Sequence, residues 1–144
     1  MSVTAKRQPT LETGQIGALF DAAQAASENA YAKYSNFRVG AALLAASGKI
    51  YAGCNVENIS YPLGTCAEES AIARARTSEG MGLKAIAIAV YATNHPGHAP
   101  CTPCGGCRQR IYELGPDVIV WFYDSELKRQ RFLASELLPE AFNF

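Results

Sequence analysis

The chain has 144 residues, with thirteen basic and thirteen acidic side chains and a formal net charge of zero. That length suits one domain with a full hydrophobic core, and residues 1–144 are read as a single domain. The balanced charge argues against a nucleic-acid binder, which would carry a basic stripe, and no apolar run is long enough to span a bilayer. Met1 to Thr10 is polar, carries Lys6 and Arg7, and does not read as a signal peptide. The expected compartment is therefore the cytoplasm, where thiols stay reduced. Five cysteines, an odd number gathered mostly in two close clusters, favour metal binding over disulfides there.

In chain order, Thr10 to Tyr31 is expected to be a helix, because Leu11, Ile16, Leu19, Phe20, Ala23 and Ala26 recur near helical spacing. Thr10 is its expected cap. Tyr34-Ser35-Asn36 is turn-like, and Phe37 to Leu44 reads as a strand. Ser47-Gly48 turns into a second strand, Ile50 to Cys54, to make a hairpin. Alternation then places Asn55 and Glu57 on one side, either as an exposed loop edge or as a pair that holds a ligand's hydroxyls.

Tyr61 to Thr65 is a loop by its Pro and Gly. Cys66 to Gly80 reads as a helix with Thr65 as N-cap, which puts Cys66 and Glu68 in the first turn. There the positive dipole end favours a thiolate. Ala85 to Tyr91 is apolar throughout and suits a strand covered on both faces. A loop with His95 and His98 follows, then a short helix from Cys104 to Leu114. Val118 to Tyr123 is another buried strand, Lys128 to Leu133 a more exposed one, and Ala134 to Leu138 a final helix. Apolar strands joined by helices imply an α/β fold, with a partly parallel sheet and helices on both faces.

The chemistry lies in two motifs, Cys66-Ala67-Glu68 and Pro103-Cys104-Gly105-Gly106-Cys107. Three thiolates are a catalytic number for zinc, because a tetrahedral ion keeps one position open for water. Glu68, two residues after the first Cys, is placed to move that water's protons. Cys104 and Cys107 alone also suit a redox pair or half of a structural zinc knuckle. For the knuckle, Cys54, Cys101, His95 or His98 would supply a fourth ligand. Cys101-Cys104-Cys107 also mimics iron–sulfur spacing. Both halves of the zinc deaminase signature are nevertheless present in order. A structural metal in a binding module is the reading from another class.

These residues resemble the small, homotetrameric cytidine deaminases over nearly the whole chain. The matching stretches are Tyr34 to Ala42, Gly53 to Asn58, Tyr61 to Glu68, Pro103 to Gln109 and Glu136 to Pro139. The resemblance implies a three-layer α/β/α sandwich around a five-stranded mixed sheet, and zinc-dependent hydrolysis of cytidine or deoxycytidine in pyrimidine salvage. It implies one Zn²⁺ per subunit on Cys66, Cys104 and Cys107, with Glu68 as proton shuttle. Asn55 and Glu57 would bind the ribose 3′-hydroxyl, Phe37 would pack on the pyrimidine, and the Ala67 backbone would meet the base edge. Tyr61 and Phe142 would reach across subunit interfaces, and Tyr34 would lie near the ligand. Cys101 has no role in this scheme.

One position departs. The family usually has Arg directly after Cys-Ala-Glu, where it drains charge from the thiolates, and here that residue is Glu69. Either Glu69 turns away or pairs with an Arg, with Arg108 and Arg74 the candidates for restoring positive charge, or the substrate is a different aminopyrimidine. A nucleoside antibiotic such as blasticidin S is an example of the latter.

Overall fold

A computed structural model describes residues 10–92 and 101–144. The expectations that fall on Lys6, Arg7, His95 and His98 lie outside the described residues. The elements are α1 (Thr13–Ser27), β1 (Val39–Ala45), β2 (Ile50–Cys54), α2 (Ala67–Glu79), β3 (Ala85–Ala92), α3 (Gly105–Leu114), β4 (Ile119–Tyr123), β5 (Arg129–Leu133) and α4 (Ala134–Leu137). The five strands form one sheet in the order β2-β1-β3-β4-β5. β3 and β4 are parallel, and the other pairings are antiparallel. This is the expected mixed sheet.

Side-chain alternation divides the core into two layers. Ala41, Leu43, Ala45, Ile88, Val90, Val120 and Phe122 pack with Ala67, Ala71 and Ala75 of α2 and Ile111 of α3. Ala42, Leu44, Ala87, Ala89 and Ile119 face Leu19, Phe20 and Ala23 of α1. Both faces of β1 and β3 are thus covered, which is why their sequences are apolar without alternation. Each fully buried side chain such as Leu19, Leu43 or Ile88 contributes about 1.5–3 kcal/mol.

Two glycines set how closely the helices lie on the sheet. A Cβ at Gly40 would stand 1.8 Å from the Ala23 carbonyl oxygen, and one at Gly53 would stand 2.5 Å from the Ala71 nitrogen. Helix α1 therefore rests on β1 through Gly40, and α2 on β2 through Gly53. At the far end of α2, Gly80 takes φ +67° and ends the helix as expected.

The helix starts differ from expectation. Helix α1 begins at Thr13, not Thr10: Glu12 is its N-cap residue, and the Glu12 N–H donates to Gln15 Oε1 at 3.0 Å. It ends at Ser27 rather than Tyr31. Cys66 and Cys104 are themselves the N-cap residues of α2 and α3, with extended backbone and no side-chain capping bond. Thr65 does not cap α2; it pairs with Val56 instead, N–H to carbonyl in both directions at 2.8 and 2.9 Å.

Candidate metal centre and substrate cleft

Strand register brings the site together. Val39 opposes Ala92 and Gly40 opposes Cys54, so the start of β1 lies beside the ends of β2 and β3. Carboxyl ends of strands are where open α/β sheets bind ligands. After β2 the chain stays extended. Tyr31 N–H donates to the Asn55 carbonyl (3.1 Å) and Glu57 N–H to the Tyr31 carbonyl (2.8 Å). Asn55 and Glu57 thereby both face one cleft of about 360 Å³. Phe37, Tyr61, Cys66, Ala67, Glu68, Cys101 and Cys104 also line it.

The sulfurs of Cys66, Cys104 and Cys107 all lie within 4.8 Å of one another. Cys66 Sγ and Cys104 Sγ are 3.9 Å apart. Two sulfurs on tetrahedral arms of about 2.3 Å stand about 3.8 Å apart, so the donor set fits one zinc ion. Helix geometry explains the grouping: each helix supplies its N-cap Cys, and Cys107 follows one turn into α3. Cys101 and Cys54 are not in this cluster, so neither the iron–sulfur spacing nor a fourth ligand from either cysteine is realised.

The thiols influence one another strongly. The Cys107 sulfur hydrogen-bonds to that of Cys66, which lowers the Cys66 thiol to about 6 and pushes Cys107 upward. Cys101, buried in the cleft wall with Glu68 nearby, is pushed up to about 12. Glu68 is itself 5% exposed, and burial raises its carboxyl above the ordinary carboxylate range. A raised carboxyl suits a group that must both accept and return protons near neutral pH.

Glu57 has the opposite environment. Tyr34 N–H and Ser35 N–H donate to Oε1 at 2.9 and 3.1 Å, and the Ser35 hydroxyl donates to Oε2. The Ser35 hydroxyl and these amides hold the Glu57 carboxyl below its usual range. The Asn55 carboxamide donates to the Phe37 carbonyl (2.8 Å) and accepts from Val39 N–H (2.9 Å).

Not every expected residue converges. Tyr34 lines an adjoining hollow with Ser35, Glu57, Asn58 and Tyr61 rather than the main cleft. Its ring meets Tyr61 edge-on at 6.0 Å. Phe142 is exposed, stacks edge-on with Phe144, and lies outside the residues that line the cleft. Neither expected Arg answers Glu69. Arg108 spends its guanidinium on the Pro103 and Leu137 carbonyls and on Thr102 Oγ1. Arg74 donates to the Ala52 carbonyl. Glu69 pairs instead with Arg110 at 3.2 Å. Sequence reading also missed Ser35, whose only signal was the turn-like Tyr34-Ser35-Asn36.

The family model for the cytidine and deoxycytidylate deaminase zinc-binding region matches residues 14–123. The chain is 46% identical over 118 residues to a cytidine deaminase of Halalkalibacterium halodurans, covering 81% of this chain and 86% of that one. It is 39% identical over 119 residues to one from Sporosarcina psychrophila, covering 82% and 84%. Among solved structures, cytidine deaminase from Burkholderia pseudomallei is similar with a TM-score of 0.77 at 45% identity, covering 88% of this chain and 98% of that one. The Mycobacterium tuberculosis enzyme gives 0.74 at 34% identity, covering 90% and 98%. With three thiolates gathered beside a buried carboxylate on an α/β/α fold, the chain belongs to the zinc-dependent cytidine and deoxycytidylate deaminase family.

Proposed function

We propose that the protein hydrolyses cytidine and deoxycytidine to uridine and deoxyuridine, releasing ammonia. The observation that carries the reading is the meeting of Cys66, Cys104, Glu68, Asn55, Glu57 and Phe37 around one cleft. Cys66, Cys104 and Cys107 would hold the zinc, which when bound would supply a Lewis acid that lowers the pKa of water from about 15.7 to near 7. Glu68 takes one proton from the attacking water and passes it to the ring nitrogen beside the amine-bearing carbon; it then takes the second proton from the newly attached hydroxyl and delivers it to the amine, which leaves as ammonia while the carbonyl forms. One buried carboxylate serves all of these transfers because it alternates between base and acid.

The other residues bind and orient. Glu57, kept ionised by Ser35, accepts from a sugar hydroxyl. Asn55 has one N–H and one lone pair left after its bonds to Phe37 and Val39. Phe37 packs against the pyrimidine, and the Ala67 backbone meets the base edge. Tyr34 and Tyr61 flank Glu57 in the adjoining hollow, near the sugar end.

Residues 1–144 act as one catalytic domain, in a cytoplasmic enzyme of pyrimidine salvage. No helix among the described residues is long and apolar enough to cross a membrane. Tyr61 of the cleft wall and its chain neighbours Ile59 and Leu63 are exposed apolar side chains, which supports a homotetramer whose subunits complete one another's sites, Phe142 included. The antibiotic-deaminase alternative is not favoured, because the relatives are named cytidine deaminase and Glu69 has an Arg partner.

A substrate panel tests the assignment. The zinc-loaded protein is mixed with cytidine, deoxycytidine, cytosine and blasticidin S while ultraviolet absorbance is followed. Turnover of the two cytidines is expected, and none with either would overturn the reading.

A further inference from the structure

A salt bridge joins Glu69 to Arg110. It joins α2 to α3, the two helices that present all three thiolates. Glu69 lies three residues after Cys66, in the first turn of α2. Arg110 lies further along α3, and its side chain folds back toward the start of that helix. One guanidinium nitrogen, NH2, meets Glu69 Oε1 at 3.2 Å. The other, NH1, lies 3.2 Å from the point where Gly106 would carry a Cβ, and that same point is 4.0 Å from Cys104 Sγ. The guanidinium and the Cys104 sulfur thus flank one bare patch of backbone that only a glycine leaves open.

Three thiolates on a dication leave a net negative centre, and Glu68 adds a further carboxylate beside it. A cation close to a ligand sulfur offsets that charge, and its removal weakens the hold on the metal. We propose that Arg110, steered by Glu69, is the counter-cation of the thiolate centre and a positioning residue for zinc retention. Charge that the Cys-Ala-Glu helix does not carry is delivered from the partner helix. Glu69 is then a tether for the guanidinium. The two side chains are 46% and 36% exposed, so solvent screens them and the effect is moderate.

The inference rests on the three-thiolate zinc reading, and the parent protein's own zinc content tests that reading separately. If the purified parent holds no zinc, the metal reading fails. If it holds zinc, release to a chromogenic chelator is timed for the parent, for Arg110→Gln, and for the charge-swapped Glu69→Arg/Arg110→Glu. Arg110→Gln is expected to release zinc about tenfold faster. The swap, which returns a cation from the other helix, is expected to bring release back to within about threefold of the parent. Urea unfolding of the metal-free proteins supplies the control, with Arg110→Gln expected to match the parent. Parental release from Arg110→Gln overturns the inference. So does a swap as leaky as the single variant, or a loss of metal-free stability that accounts for the leak.

Discussion

The Asn55 carboxamide grips the chain on both sides of Arg38, donating to the Phe37 carbonyl at 2.8 Å and accepting from Val39 N–H at 2.9 Å. A residue read as a sugar ligand therefore also fixes the aromatic wall of the cleft and the first residue of β1. Asn55→Ala should raise KM for both cytidines and cost about 1–3 kcal/mol of stability, because two backbone groups lose their partner. Asn55→Asp should be at least as damaging, since a carboxylate would face the Phe37 carbonyl. Michaelis kinetics alongside urea unfolding check both. An unchanged urea midpoint would show that the carboxamide is not holding the strand.

Glu57 yields a prediction about pH. Its carboxyl is held below the ordinary 4.5 chiefly by the Ser35 hydroxyl. A depressed carboxylate contributes stability that is present above its unfolded pKa and lost as pH falls through the folded value. The contribution should therefore persist at neutral pH and fade only below about pH 4.5. Ser35→Ala removes the main cause, so its stability deficit against the parent should be full at pH 7 and shrink in acid to the part set by the lost Phe37 N–H to Ser35 Oγ bond. Thermal melts between pH 3 and pH 7 would reveal the trend, and a deficit independent of pH would refute it.

Glu68 should separate chemistry from metal binding. Glu68→Gln keeps the shape of the side chain but cannot shuttle protons, so kcat should fall by about 10²–10⁴-fold. Zinc content, measured on the folded protein, should stay at the parental level because the three sulfurs are untouched. Loss of zinc together with activity would make Glu68 part of the metal's hold rather than the proton carrier.

Packing makes a fourth prediction. Gly40→Ala drives a methyl group into the Ala23 carbonyl, whose oxygen is 1.8 Å from the ideal Cβ position. That contact is backbone to backbone, so the cost should reach or exceed the about 1–3 kcal/mol usual for overpacking. Gly14→Ala and Gly17→Ala meet nothing within 4 Å in the same helix. Each should instead stabilise by about 0.5–1 kcal/mol, since alanine loses less backbone freedom in a helix. Denaturant midpoints of the three variants decide the matter.

The strands were legible in the sequence because burial on both faces leaves a plain record. Ala85 to Tyr91 has no polar residue, and β3 spans Ala85–Ala92. The cluster of three thiols was legible from Cys66-Ala67-Glu68 and Cys104-x-x-Cys107. What could not be read was side-chain reach between elements. Glu69 and Arg110 sit on different helices, and nothing local distinguishes Arg110 from Arg108 or Arg74 as a partner. Helix starts were also misplaced, because capping depends on backbone angle rather than residue type alone. Thr10 and Thr65 look like better caps than Glu12 and Cys66, yet the chain turns helical after the latter pair.

The three clustered cysteines come from opposite sides of β3 in the chain: Cys66 precedes that strand, and Cys104 and Cys107 follow it. Cys66 and Cys104 are 38 residues apart, so an ion held by both closes a long loop, and its binding is coupled to folding. Full coordination has to wait until β3 has inserted between β1 and β4. Zinc capture should then lag the appearance of sheet signal during refolding, making the ion a seal on a finished sheet rather than its nucleus. Capture of the ion at full strength before the sheet signal appears would reverse that order.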